Sequence, residues 1–130
     1  MPHKESSYPT DWLRIAEKDF ARVDTLLIAH DSEAAGFYLQ QALEKFLKAY
    51  LLSKGWPLQR THDLESLLNE ALKHESSFEQ YRVIMQRITG FYFIERYPLF
   101  LDTSITEEDV REALFQIKLL VDSIRSALKG

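Results

Sequence analysis

The chain has 130 residues, 45% of them hydrophobic and 28% charged, which leaves room for one domain with one core. With no cysteine it has no disulfide framework, thiolate metal site or thiol nucleophile. Its net charge of -4 and pI near 5.6 set it apart from the basic proteins that hold nucleic acid through phosphate alone, so no DNA partner is expected.

Four glycines and four prolines are few turn formers, which favours long helices over a β-sandwich. The apolar stretches are short and broken by charges, and residues 1–12 carry no apolar segment. The expectation is a cytoplasmic protein with no membrane span and no signal peptide. After a tail over residues 1–9, a single helical domain is expected over 10–130.

The first predicted helix runs from Thr10 to Ala29, with Thr10 or Asp11 as its cap. Trp12, Ile15, Ala16, Phe20, Val23 and Leu27 recur at steps of three and four and form one apolar stripe. A second helix, Ser32 to Lys54, repeats the pattern through Ala35, Tyr38, Leu39, Ala42, Phe46, Ala49 and Tyr50. Gly55 and Pro57 stop it. Gln41, Lys45 and Lys48 share another face of this helix. Glu44 and Lys48 are spaced for an i,i+4 pair worth only ~0.3–0.5 kcal/mol.

A short third helix is expected over His62–Lys73, capped by Thr61 or Asp63. A fourth opens on Ser76-Ser77-Phe78-Glu79, which has capping-box spacing, and frays near Gly90. A loop is expected over Phe91–Ile105. Thr106-Glu107-Glu108-Asp109 then starts a last helix striped by Val110, Ala113, Leu114, Ile117, Val121, Ile124 and Leu128. The first two helices are joined by a very short turn at His30-Asp31 and must run antiparallel. The expected fold is therefore an all-α antiparallel bundle of about five helices, three of them long.

Three patches carry a resemblance. Ala34-Ala35-Gly36-Phe37-Tyr38-Leu39-Gln40-Gln41-Ala42-Leu43-Glu44-Lys45-Phe46-Leu47-Lys48-Ala49, then Thr61-His62-Asp63-Leu64, then Arg96-Tyr97-Pro98 occur in that order. The chain resembles the HEPN domain family, of the prokaryotic kind paired with minimal nucleotidyltransferases. The resemblance implies a helical bundle that commonly dimerises. In many prokaryotic members that bundle is one half of a toxin–antitoxin pair with a nucleotidyltransferase. It also implies one of three activities: metal-independent RNA cleavage, nucleotide binding, or a noncatalytic role.

The family's RNase pair is an Arg followed, after four to six residues, by His. Here Arg96 is followed at those offsets by Leu101, Asp102 and Thr103, and none of His3, His30, His62 and His74 is correctly spaced from an Arg. The catalytic pair does not carry over, so no catalytic residue is assigned.

The candidate nucleotide or RNA-phosphate site is Gln41, Lys45, Lys48, His62, Arg96 and Tyr97. Lysine offers phosphate a point charge, and arginine a two-pronged fork. Histidine is the side chain whose ordinary pKa suits proton transfer near neutrality. The same residues also read more plainly, as a solvated helix face and a first-turn histidine. The aromatics Phe91, Tyr92, Phe93, Tyr97 and Phe100 suit base stacking, a bundle end or a dimer interface. Trp12 and Trp56 read as packing. No metal-ligand spacing, glycine-rich phosphate loop or nucleophile elbow occurs, and no cofactor is expected.

Overall fold

The structure, a computed structural model, describes residues 6–96 and 105–129, the side chains of 93–96 excepted. Among the described residues there are five α-helices and no strand. They are α1 Pro9–Ile28, α2 Ser32–Ser53, α3 Leu64–Leu72, α4 Arg82–Arg96 and α5 Glu107–Lys129. A 3₁₀ turn, Ser76–Tyr81, leads into α4.

The reversal between α1 and α2 takes two residues. His30 sits at φ 61°, the left-handed conformation that ends many helices. Its N–H donates to the Leu27 carbonyl (3.1 Å), and the Asp31 N–H reaches back to the Leu26 carbonyl (2.9 Å). Asp31 then starts the next helix, its carboxylate accepting from the Ala34 N–H at 3.2 Å. One aspartate thus closes α1 and opens α2, and the two helices pack antiparallel along their length. The same closure ends α2. Gly55, at φ 87°, donates to the Leu52 carbonyl and Trp56 to that of Leu51, which tucks the Trp56 ring into the core.

Helix α2 is the hub and touches α1, α3, α4 and α5. Buried positions surround it: Ala35, Leu39, Ala42, Leu43, Phe46, Leu47, Ala49 and Leu51 are fully enclosed. A helix apolar on all sides must be enclosed on all sides. Gly36 shows how closely α4 approaches. A Cβ there would lie 3.1 Å from Phe91 Cβ and 3.2 Å from Ile105 Cδ1, tighter than ordinary packing allows.

Several local expectations are corrected. Helix α1 starts at Pro9, whose missing N–H costs nothing in a first turn, and Tyr8 precedes it without a side-chain cap. Ser76–Glu79 forms no capping box, because the segment winds as a 3₁₀ turn and Ser77 Oγ donates instead to Glu75 (2.8 Å). Gly90 does not end α4, which continues to Arg96, so Phe91 and Tyr92 are helical. Burial of Phe91 against α2 stabilises the extra turn beyond what glycine costs there. The rest of the expected Phe91–Ile105 loop, with Tyr97, Pro98 and Phe100, lies outside the described residues. Among the described residues no helix is long and apolar enough to cross a membrane.

A reciprocal cap does form at α5. The Thr106 N–H donates to Asp109 (3.0 Å), the Asp109 N–H donates to Thr106 Oγ1 (3.1 Å), and Arg87 donates to Asp109 Oδ1 at 2.8 Å. The Thr106 backbone bond first, and the Arg87 charge after it, hold the Asp109 carboxyl below the usual aspartate range. Because the folded value lies below the unfolded one, this stabilisation is complete above the unfolded pKa, about 3.9. It is lost as pH falls through the folded value. Asp109→Asn is expected to cost about 1 kcal/mol at pH 7 and to make stability less sensitive to acid below pH 4, as read by urea unfolding at a series of pH values.

Candidate functional site

The polar residues of α2 fall into two sets, each around a buried carboxylate. In the first, the buried Asp19 carboxylate of α1 accepts from both Lys45 Nζ and Arg22 Nη1. In the second, Glu44 is buried with its side chain 3% exposed. Its Oε2 takes Lys48 Nζ at 3.1 Å and lies 3.0 Å from His62 Nδ1. Lys48 is 1% exposed, and its ammonium sits 5.0 Å from the centroid of the Trp12 ring. A buried charge is tolerable only when paired and hydrogen-bonded, and the Trp12 π-face adds to what Glu44 supplies. Glu44 Oε1 has no hydrogen-bond partner among the described residues.

His62 is different. Its side chain is 75% exposed, although one ring nitrogen meets Glu44. The segment before α3 brings it there. The His62 carbonyl accepts from Gln40 Nε2 (3.4 Å), and Gln40 Oε1 accepts in turn from Gln41 Nε2 (2.7 Å). Asp63 follows as the α3 cap, accepting from the Glu65 N–H and from Ser66 Oγ. A cleft of about 280 Å³ opens here between α2, α3 and α4, lined by Gln40, His62, Asp63, Thr89 and Tyr92. The Tyr92 ring stacks on Phe37 (5.5 Å), Phe37 meets Tyr38 edge-on, and Arg22 lies over Tyr38. Arg96 closes α4 one turn beyond Tyr92.

Of the six candidate residues, Gln41, Lys48 and His62 belong to one network around Gln40 and Glu44. Lys45 points away to Asp19. The side chain of Arg96 and all of Tyr97 lie outside the described residues. The face expected to be solvated is not. Lys48 is enclosed, because the helix that carries it is central. Glu44 and Lys48 form a buried pair rather than a weak surface one.

Asp19 and Gln40 were not among the residues singled out from sequence, and Glu44 was singled out only as a surface partner for Lys48. A signal for the first was available, since Asp19 interrupts the stripe of Trp12, Ala16, Val23 and Leu27 at the same helical spacing. Among the described residues no group of three or more His, Asp or Glu side chains is placed to hold a metal ion.

The family model described as HEPN domain matches residues 9–127. The chain belongs to the HEPN domain family. No curated protein and no solved structure gives a match. In this HEPN domain the second-helix run from Gln40 to Lys48 makes the buried network, and the segment through His62 makes the wall of the cleft.

Proposed function

We propose that this HEPN domain is a noncatalytic module that works as a homodimer beside a nucleotidyltransferase. Its cleft at His62 receives the phosphate of a nucleotide or RNA, with Arg96 supplying a cationic group. The observation that carries this reading is a contrast in exposure among the residues around the buried carboxylates. Lys45 and Lys48 are neutralised by buried carboxylates, whereas His62 stays exposed beside a cleft with an aromatic wall. Arg96 stands at the end of the helix that supplies Thr89 and Tyr92 to that cleft. The missing histidine after Arg96 supports the noncatalytic half of the proposal.

A second reading, RNA cleavage by a variant catalytic set, draws on one observation. A carboxylate bonded to one imidazole nitrogen is how a general base is oriented for work by the other.

Calorimetric titration of ATP and of a short RNA into wild type, Arg96→Ala and His62→Ala separates the possibilities. The expected result is binding by wild type, weakened about tenfold or more in each variant, as suits loss of a charge-assisted bond. RNA left intact throughout is also expected. Equal binding by all three proteins, or none by wild type, would contradict the phosphate site. Cleavage that disappears in His62→Ala would establish the second reading.

A further inference from the structure

The cleft at His62 does not stop at Thr89. A second cavity, of about 140 Å³, adjoins it, and Asp63 and Thr89 line both. The other walls of this cavity are Leu68 and Met85, which are buried, and Glu65, Arg82 and Gln86, which stand nearer to solvent. An apolar floor with a few polar groups at its edge is the form of a small-molecule site. The volume is close to the ~150 Å³ that accommodates one benzene ring.

The charged groups decide what the cavity takes. Arg82 would be the obvious anchor for a phosphate, but it is already committed. Its Nε and Nη2 donate to the two Glu79 oxygens (2.8 Å each), Nη2 also to Asn69 Oδ1 (2.8 Å), and Nη1 to Glu65 Oε1 (3.1 Å). These bonds occupy four of the five guanidinium N–H groups. One guanidinium between Glu65 and Glu79 leaves a negative charge over, and Asp63 adds another, so a phosphate is repelled here. Asp63 and Glu65 can only accept hydrogen bonds. Asp63 takes the Glu65 N–H on one oxygen and Ser66 Oγ on the other, and Glu65 Oε1 takes Arg82, which leaves lone pairs on both carboxylates. Gln86, which can both donate and accept, makes no hydrogen bond among the described residues. The group that matches these walls is uncharged, one ring wide and edged with N–H donors.

We infer that this cavity receives the base of a free nucleotide whose phosphate lies at His62, and that it selects a base bearing an exocyclic amino group. Gln86 and Tyr92 are six residues apart on α4, ~9 Å along its axis, so a base beside the first and a phosphate beside the second are joined by one ribose. The Gln86 amide can serve either kind of base edge, so the carboxylates make the choice. Cytosine presents an N4 amino donor where uracil presents an O4 acceptor. A carboxylate attracts the first and repels the second. The base site rests on the phosphate reading of the His62 cleft and adds to it what the ligand must carry.

Calorimetric titration of CTP, UTP and inorganic tripolyphosphate is the test. CTP should bind wild type about tenfold more tightly than UTP, the effect of one charge-assisted hydrogen bond, and UTP should gain little over tripolyphosphate. Asp63→Asn keeps an α3 cap and Glu65→Gln keeps its side-chain length, and each exchanges an acceptor for an amide that can donate. Together they should weaken CTP, strengthen UTP and bring the two to within about threefold. A short cytosine RNA should bind no more tightly than CTP, because the cavity holds one base, and tighter binding would overturn the free nucleotide. Cytidine, which has no phosphate, separates this site from the one it adjoins. At millimolar concentration it should shift the backbone amides of Leu68, Met85 and Gln86, and uridine should not. Equal binding of CTP, UTP and tripolyphosphate, with no amide moved by cytidine, would overturn the base site and leave the phosphate site standing. Cytidine shifts without tripolyphosphate binding would do the reverse, and no binding by any of them would overturn both. A preference for CTP that survives the double variant would overturn the role given to Asp63 and Glu65.

Discussion

Lys48→Met is expected to lower the stability of this domain by about 3–5 kcal/mol, although it replaces a charge with an apolar side chain of similar length inside a core. The loss comes from what stays behind. Glu44 is buried, and Lys48 Nζ is the enclosed cation at its Oε2, since the other neighbour there among the described residues, His62, is largely exposed. Removing the ammonium strands a carboxylate that already has one oxygen unpartnered among the described residues. Glu44→Leu should cost a similar amount by stranding the ammonium. The double variant Glu44→Leu/Lys48→Met removes both charges and should return to within about 1 kcal/mol of wild type, or exceed it, as buried pairs replaced by apolar residues often do. His62→Ala should cost less than about 1 kcal/mol, because its contact is made from an exposed ring. Urea unfolding of wild type and these four variants gives the coupling directly. Additive losses in the double variant would show that the pair is not a sealed unit.

Phe46→Ala should cost about 3–5 kcal/mol, a large part of what a domain of this size possesses. Phe46 is fully buried on the hub helix, where one side chain serves several neighbours. The Phe20 ring meets it edge-on at 5.6 Å, and the Arg125 guanidinium lies 5.8 Å from its centroid. Arg125 is itself fixed by Glu17 through two hydrogen bonds, at 2.8 and 2.6 Å. Truncation therefore opens a cavity at the junction of α1, α2 and α5 that a pinned arginine cannot fill. A fall in the melting midpoint of about 10–20 °C in calorimetry is the expected result. A fall of only a few degrees would mean that the junction collapses around the gap.

The helices were legible in the sequence because their cause is local. Stripes at three- and four-residue steps, an aspartate and a glycine at the turns, and acids ahead of α5 each act within a few residues of where they stand. The resemblance to HEPN domains was legible for a related reason, since its signature lies on one continuous helix. What could not be read was which face of α2 meets solvent. Gln41, Lys45 and Lys48 share a helical face, and nothing local distinguishes a face covered by α1, with Asp19 waiting beneath it, from one left open. The same holds for Gly90, where only contact between Phe91 and Gly36 decides that the helix continues. The pairing of Glu44 with His62 spans 18 residues and an intervening turn, so only the folded chain brings it about.

The proposed function places ligand contact at the cleft of α2, α3 and α4, and not on the lysines of α2. The most direct measurement is a titration of ATP followed by backbone amide NMR shifts on the wild-type protein. Shifts clustered at Gln40, His62, Asp63, Thr89 and Tyr92, with Asp19 and Lys45 unmoved, are predicted. Shifts centred on Asp19 and Lys45, or none at ligand concentrations in the millimolar range, would contradict it.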